Sequence, residues 1–171
     1  LDALPLSPHA LDILDAGCGT GLCSGALRPL AKRLVGVDLS QAMLDRARVR
    51  GGYDEIYCQE IGAFLQNTTH RYGLIACIDT MIYFGALENI MGQLARSLET
   101  GGYLIFTTEA ADTQNKNFRL QASGRYAHSH AYLHQLLQEN GFKCLIEQES
   151  MLRMELDKPV NGYIIVAQLQ G

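Results

Sequence analysis

A glycine-rich segment near the start of the chain has the residue types of a loop that holds a ligand through its backbone. Residues 13–22 have the sequence ILDAGCGTGL, an apolar run followed by glycines at positions 17, 19 and 21. A strand that stops in glycines before a helix lets the backbone approach a ligand closely, and the helix presents unpaired N–H groups to it. The spacing is G-x-G-x-G, with Leu22 where the dinucleotide fingerprint has its third glycine. The pattern therefore disfavours a nicotinamide dehydrogenase.

A carboxylate follows at the end of the second apolar run. Asp38 lies 17 positions after Gly21, in the sequence VGVDLS. A carboxylate in this position can accept hydrogen bonds from both hydroxyls of a ribose. The alternative is an aspartate that caps the following helix or is simply solvated at a strand end. Because the carboxylate and the glycine loop are in register, we expect a ligand that contains a ribose.

Apolar runs alternate with helical stretches along most of the chain. The predicted strands are Leu11–Asp15, Leu34–Asp38, Glu55–Cys58, Tyr72–Ile78 and Tyr103–Thr108. The predicted helices are Leu22–Ala31, Gln41–Arg50, Ile61–Leu65, Leu87–Leu98 and His130–Glu139. Alternating strands and helices require right-handed crossovers and a mainly parallel sheet covered on both faces. We therefore expect a three-layer α/β fold.

The C-terminal part of the chain breaks this alternation. The polar segment Ala110–Arg125 lacks a clean period and predicts a long loop, of the kind that often carries function. Two apolar runs, Lys143–Met154 and Gly162–Leu169, flank an Asp-Lys-Pro turn and predict an antiparallel strand pair. No internal repeat or interior linker divides residues 1–171, so we expect a single domain.

Composition excludes several classes of protein. The 171 residues are 47% hydrophobic and 19% charged, which is the balance of a globular domain with a core. A net charge of -4 disfavours a role on nucleic acid or at a membrane surface, and no apolar run approaches the roughly 20 residues that span a bilayer. Five scattered cysteines indicate reduced thiols. We expect a soluble, cytoplasmic protein.

The two motifs together resemble those of the class I S-adenosylmethionine-dependent methyltransferases. The first family motif is similar to LDAGCGTG at residues 14–21, and the second to VGVDLS at residues 35–40. The likeness continues through Arg71–Asp79 and Ser97–Phe106 and covers nearly all of Leu11–Leu169. It implies a Rossmann-like methyltransferase fold, S-adenosylmethionine as cofactor, and a methyl group moved to a small-molecule acceptor, with a protein side chain as the nearest variant.

The resemblance also implies which residues bind the cofactor. Asp38 would hold the ribose hydroxyls, and Asp15 would face the amino group of the methionine part, because a cation favours a local carboxylate. Glu60 would meet the adenine amino group, although the match could shift to Gln59 and a surface glutamate is the alternative. The other implied cofactor residues are Gly17, Cys18, Gly19, Gly21, Leu39, Met43 and Cys77.

Candidates for catalysis and acceptor binding follow the C-terminal ends of strands, where open α/β sheets bind their ligands. The catalytic candidates are Asp79, Tyr83 and His128, and the acceptor-binding candidates are Glu109, Arg125 and Tyr126. A general base is needed only if the acceptor arrives protonated, and His128 is the natural one. The alternative for His128 is a local hydrogen-bonding residue. Arg125 either recognises an acidic substrate group or pairs with Glu109 or Asp112.

Metal sites are disfavoured by the sequence. His130 and His134 have the i, i+4 spacing that can bind zinc, but no third ligand or H-E-x-x-H pattern accompanies them. A polar helix face is therefore the favoured interpretation. Cys18 and Cys23 lack the second pair of ligands that would close a tetrahedral shell. We expect no metal.

The sequence lacks the motifs of two classes of enzyme that methylate nucleic-acid bases. After the fourth strand, residues 79–83 are DTMIY, unlike the Asn/Asp-Pro-Pro-aromatic motif of enzymes that methylate base amines. No cysteine follows a proline, as the nucleophile of cytosine-carbon enzymes does. Nucleic acid is therefore disfavoured. A non-catalytic scaffold or sensor that binds S-adenosylmethionine stays open, and it differs from an enzyme in producing no S-adenosylhomocysteine.

A narrower resemblance concerns the segment Ser123–Ser129 and the helix after it. These residues are similar to bacterial methyltransferases that often carry tetratricopeptide repeats ahead of the catalytic domain. The chain also begins without methionine or a signal peptide. The resemblance implies the C-terminal part of a longer chain, with a protein partner bound by the preceding repeats.

Overall fold

A nine-stranded mixed sheet forms the centre of the computed structural model, which describes residues 4–111, 116–155 and 157–171. The strands are β1 Leu11–Ala16, β2 Ala31–Asp38, β3 Glu55–Cys58, β4 Tyr72–Cys77, β5 Leu98–Ala110, β6 Phe118–Leu120, β7 Tyr126–His128, β8 Phe142–Glu155 and β9 Lys158–Leu169. The helices are α1 Ser24–Leu27, α2 Gln41–Arg50, α3 Ile61–Asn67, α4 Glu88–Ser97 and α5 His130–Glu139, with a 3-10 turn at Met81–Tyr83.

The strand order places a ligand crevice between the first and fourth strands. The sheet runs β3-β2-β1-β4-β5, with all four pairings parallel, and β1 lies between β2 and β4. Successive strands are therefore added on one side of β1 up to β3 and on its other side from β4 onward. In open α/β sheets this change of side creates a crevice at the carboxyl ends of the strands. The glycine loop after β1 and the turn after β4 lie at that point.

The antiparallel part completes the sheet on the other side of β5. Strand β9 pairs antiparallel with β5 from Tyr103 to Glu109, and β8 pairs antiparallel with β9 along almost its whole length. This confirms the predicted C-terminal pair and the mostly parallel, Rossmann-like fold. Strands β8 and β9 are longer than predicted, because their pairing continues into the polar residues on either side of the turn between them.

Apolar side chains cover both faces of the sheet. Helices α3, α4 and α5 pack one face through a cluster that includes Phe64, Leu94 and Leu133. The other face buries Leu27 of α1 with Ile13 of β1. No helix in the described part of the chain combines the length and the apolar character that a membrane crossing needs.

Serine caps fix two helix starts where the sequence predicts them. The hydroxyl of Ser40 accepts a hydrogen bond from the Met43 N–H at the start of α2, and that of Ser129 accepts one from Tyr132 N–H at the start of α5. Both helices have the predicted bounds. The Ser40 cap matters for the site, because Ser40 lies two residues after Asp38.

The structure corrects two predicted elements. The helix predicted at Leu22–Ala31 is only the single turn Ser24–Leu27, which ends just before Pro29, a residue with no N–H to donate to a further turn. The loop predicted at Ala110–Arg125 contains strand β6, and β7 begins directly after it. These three-residue strands are stabilised by pairing with each other and with β5, which no local pattern announces.

Candidate functional site

The loop after β1 adopts a backbone that requires glycine. Gly17, Gly19 and Gly21 have φ values of 86°, 53° and 79°, in the left-handed region that disfavours a side chain. A Cβ at position 17 would also overlap the side chain of Thr80. The Thr80 hydroxyl donates to the carbonyl oxygen of Ala16 at 3.0 Å, so the turn after β4 is joined to the loop after β1.

The carboxylate of Asp38 connects this glycine loop to the second helix. Its Oδ2 accepts a hydrogen bond from Gly19 N–H at 2.9 Å, and its Oδ1 accepts one from Ser40 N–H at 2.8 Å. A carboxylate has about four lone-pair positions, so acceptor capacity remains on both oxygens. Asp38 also lines the cavity described below. The carboxylate therefore lies beside the glycine loop, and its role in binding a ribose stays a prediction.

A cavity of about 490 Å³ opens between the glycine loop, the start of α2 and the turn after β4. This volume is within the range of small-molecule binding sites. The predicted site residues that line it are Gly17, Cys18, Gly19, Asp38, Leu39, Met43, Glu60, Asp79 and Tyr83. Nine of the sequence-predicted residues therefore meet around one space.

Large apolar side chains around the cavity are exposed to solvent. Leu22 and Leu39 are 72% and 71% exposed, and Met43 and Tyr83 are also among the exposed large hydrophobic residues. All four line the cavity. Clustered exposed apolar surface marks a binding site for a ligand or partner. The lining thus combines apolar side chains with the Asp38 carboxylate, which suits a flat base joined to a ribose.

Asp15 lies beneath the loop and is 1% exposed. Its Oδ2 accepts a hydrogen bond from the Tyr53 hydroxyl at 2.6 Å. Burial is the main cause that raises the pKa of Asp15 from its ordinary value of 3.8 to about 6, and the charge of Asp38 adds to it, while the Tyr53 hydrogen bond opposes it. At pH 7 the carboxylate is therefore ionised but poorly stabilised, which favours a cation nearby.

The remaining predicted cofactor residues have structural contacts. Both carboxylate oxygens of Glu60 cap α3, accepting from Gly62 N–H at 2.9 Å and Ala63 N–H at 2.7 Å, although Glu60 also lines the cavity. Cys77 is buried and is not among the lining residues; the cavity is instead bordered by Ile78. Gly21 is also away from the lining and serves the turn into α1.

His128 is not placed to act as a general base. It is fully buried, and its Nε2 lies 3.0 Å from the carbonyl oxygens of Phe84 and Gly85. Because carbonyls only accept, Nε2 carries the proton, and Nδ1 accepts from the Thr108 hydroxyl at 2.6 Å. Burial lowers the pKa of His128. The structure therefore favours the other interpretation given for His128, a local hydrogen-bonding residue. Its bonds hold the segment after Tyr83 in place.

Glu109 also does not face a substrate. It is buried, Oε1 pairs with the guanidinium of Arg153, and Oε2 accepts a hydrogen bond from Gln121. The prediction placed Glu109 after the end of β5. The strand instead continues to Ala110, and Glu109 lies between β7 and β9 in the sheet. Arg153, which the sequence analysis missed, also lies 3.8 Å from Asp79 Oδ1. No local pattern marks Arg153, since it is an arginine within a predicted strand.

Arg125 and Tyr126 lie beside the cavity and not in its wall. Arg125 donates to Glu155 Oε2 at 2.8 Å and is hydrogen-bonded to the side chain of Tyr83. Of the two partners weighed from the sequence, Glu109 is paired with Arg153, and Asp112 lies outside the described residues. The Tyr126 ring packs edge-on against Phe118, with centroids 5.9 Å apart. Arg125 thus contacts a lining residue of the cavity, Tyr83, without lining the cavity itself.

Comparison with known sequences decides the family. The model of a family described as "Methyltransferase domain" matches residues 1–147. The chain belongs to the methyltransferase domain family. The family match agrees with the glycine loop and Asp38, the residues that carried the resemblance. It also excludes the dehydrogenase alternative.

Two curated relatives with similar sequences are O-methyltransferases. A ubiquinone biosynthesis O-methyltransferase from Coxiella burnetii is 29% identical over 111 residues, covering 63% of this chain and 45% of the relative. A malonyl-[acyl-carrier protein] O-methyltransferase from Legionella pneumophila is 29% identical over 157 residues, covering 88% and 53%. The chain spans about half the length of these relatives.

A solved methyltransferase structure has the same fold. Magnesium protoporphyrin IX methyltransferase from Synechocystis, with bound S-adenosylmethionine, aligns over 94% of this chain and 70% of its own, with a TM-score of 0.70 and 21% identity. At this identity the likeness concerns the fold. It supports the Rossmann-like methyltransferase architecture described above.

The burial of Asp15 predicts a specific pH dependence of stability. Because the pKa of a buried acid is raised on folding, the stability it contributes is present below about pH 4 and is lost as pH rises through about 6. Relative to Asp15→Asn, the wild-type free energy of unfolding should fall by about 3 kcal/mol across this window and stay level above it. Urea unfolding between pH 4 and 8 measures the difference.

Asp45→Asn, which changes an exposed carboxylate on α2, is the matched control and should show no such window. A difference between wild type and Asp15→Asn that is constant with pH would contradict the assignment.

Proposed function

We propose that this chain is an S-adenosylmethionine-dependent methyltransferase that acts on a small-molecule acceptor. One observation carries the proposal: a single cavity is lined by a glycine loop, by the Asp38 carboxylate and by the exposed apolar side chains of Leu39 and Met43. When bound, S-adenosylmethionine supplies a methyl group on a cationic sulfur, which makes the sulfur a good leaving group. The protein then has mainly to hold the reacting groups in line.

The residues present fit this cofactor. Asp38 has acceptor capacity left for the two ribose hydroxyls. Leu39 and Met43 provide apolar surface for the adenine, and Glu60 offers a carboxylate at the edge of the same wall. Asp15 places negative charge beneath the loop, where the cationic methionine part would lie. Charge, shape and hydrogen-bonding capacity therefore agree.

The acceptor would approach from the turn after β4. Asp79 has a φ of 53°, which is uncommon for a residue other than glycine, and its N–H donates to the Thr107 hydroxyl at 2.8 Å. Such backbone strain is often found at functional sites. Asp79 lines the cavity, and its Oδ1 also lies 3.8 Å from the guanidinium of Arg153. Of the three catalytic candidates, Asp79 is thus the best placed to accept a proton from an acceptor.

Tyr83 and Arg125 would form the outer wall of the acceptor site. Tyr83 lines the cavity, and Arg125 is held against it by a hydrogen bond and by the ion pair with Glu155. The names of the relatives favour an oxygen acceptor, such as a hydroxyl or a carboxyl group. A general base is needed for the first of these and not for an ionised carboxyl group.

Several further expectations belong to this proposal. We infer that residues 1–171 act as one cofactor-binding domain in a bacterial cytoplasm, and that nucleic acid is not the acceptor. A partner bound by tetratricopeptide repeats ahead of this domain stays a prediction. A non-catalytic scaffold or sensor would have the same cavity. Only the production of S-adenosylhomocysteine distinguishes an enzyme from it.

Removal of the Asp38 carboxylate tests the cofactor assignment. Asp38→Ala should weaken S-adenosylmethionine binding by about 2 to 4 kcal/mol, because hydrogen bonds to a charged acceptor are lost. Calorimetric titration measures this, with NAD as a ligand that should not bind. Asp45→Ala, which removes an exposed carboxylate from α2, should bind normally. Equal affinity of Asp38→Ala and wild type would overturn the assignment.

Turnover tests whether the chain is an enzyme. Incubation with S-adenosylmethionine and a panel of small hydroxyl and carboxyl compounds should release S-adenosylhomocysteine, measured by mass spectrometry. With a hydroxyl acceptor, Asp79→Asn should lower kcat by about 100-fold or more without changing cofactor affinity, as the loss of a general base does. Cofactor binding with no product from any acceptor would favour the scaffold, and a normal kcat for Asp79→Asn would remove its role as base.

A further inference from the structure

Three metal-type ligands meet on the surface between α5 and β8. His130 Nε2 lies 2.5 Å from Glu147 Oε1, and His134 Nε2 lies 2.5 Å from Glu147 Oε2. One ligand atom from each residue lies within 4.8 Å of the others. None of the three residues lines the cofactor cavity, and the methyltransferase proposal gives them no role.

The fold fixes the backbone positions of these ligands independently of any ion. His130 and His134 are one turn apart on α5, and their ring centroids are 4.4 Å apart. The neighbouring face of α5 is anchored in the core by the buried side chains of Leu133 and Leu137. Glu147 lies in β8, which pairs with β9 on both sides of this position. Ligands on a packed helix and a paired strand form a preorganised site.

The surroundings orient the ligands and leave room for water. The ring of Tyr163 packs against His130, with centroids 5.6 Å apart, and restrains its orientation. The side chains of His130 and His134 are 56% and 43% exposed, so an ion can enter from solvent. Three protein ligands and an open side match a tetrahedral site whose fourth position is held by water.

We propose that His130, His134 and Glu147 form a site for a divalent transition metal, with zinc as the best fit. Two imidazole nitrogens and one carboxylate oxygen are donors that zinc accepts, whereas magnesium and calcium prefer oxygen ligands alone. The ion would bind the two Nε2 atoms in place of their contacts with Glu147, each neutral imidazole carrying its proton on Nδ1, and it would connect α5 to β8. Since the ion binds the folded arrangement, it stabilises the fold.

The sequence alone favours a polar helix face here, because no third ligand lies near the two histidines in the chain. Glu147 lies 13 residues after His134, on a different element, and only the packing of α5 against β8 brings it to the histidines. The i, i+4 histidine spacing supplies two ligands of the proposed site, and the third depends on tertiary structure.

Zinc titration of the complete chain tests the proposal. The protein is prepared without a histidine tag, stripped with EDTA and titrated calorimetrically with zinc chloride. We expect one equivalent to bind in wild type and binding at least about tenfold weaker in His134→Ala and in Glu147→Gln. Magnesium and calcium chloride should give no binding. An equivalent that survives both variants, or no zinc binding at micromolar concentration, would overturn the site.

Two matched variants control for other donors. His9→Ala removes an exposed histidine elsewhere, and Cys58→Ser removes an exposed thiol that could capture zinc. Both should keep the wild-type equivalent; loss of it in either one would place the zinc elsewhere and contradict the assignment.

Thermal unfolding gives a measurement that needs no variant. Zinc at about 100 times its dissociation constant should raise the wild-type Tm by roughly 5 to 10 °C, and magnesium should not. No rise with zinc would overturn the proposal.

Discussion

The carboxylate of Asp38 is the interaction on which the cavity depends. Its two oxygens accept the N–H groups of Gly19 and Ser40, so one side chain fixes both the glycine loop and the start of α2. A hydrogen bond to a charged group contributes about 1.5 to 3 kcal/mol, and each of these is local to the cavity wall. The same carboxylate keeps capacity for a ligand. Positioning and binding are therefore done by one group, and a change at Asp38 affects both.

The site contains several features that cost stability. Asp15 is ionised at neutral pH in a buried position, Asp79 has a strained backbone, and Leu39 exposes apolar surface. Each is unfavourable in the free protein, and each becomes favourable if a cationic, partly apolar ligand fills the cavity. The rest of the fold compensates through two apolar clusters that cover both faces of the sheet. This contrast distinguishes the cavity from the surrounding surface.

Local chemistry was sufficient to predict the parts of the fold that depend on neighbours in sequence. The glycine loop, Asp38 and the Ser40 cap lie where their types and spacing indicate, because each acts within a few residues. The errors at the site concern contacts between distant segments. His128 is covered by the carbonyls after Tyr83, and Glu109 is neutralised by Arg153 from β8. Neither partner leaves a signal near the residue it engages, so sequence position alone placed both in a site that they do not reach.

We propose that the cavity beside Asp38 holds the adenosyl part of S-adenosylmethionine. A crystal structure of this chain with S-adenosylhomocysteine would show whether it does. We expect both ribose hydroxyl oxygens within about 2.6 to 3.2 Å of the Asp38 carboxylate, and the adenine against Leu39 and Met43. A ligand bound elsewhere, or one whose ribose makes no contact with Asp38, would contradict it.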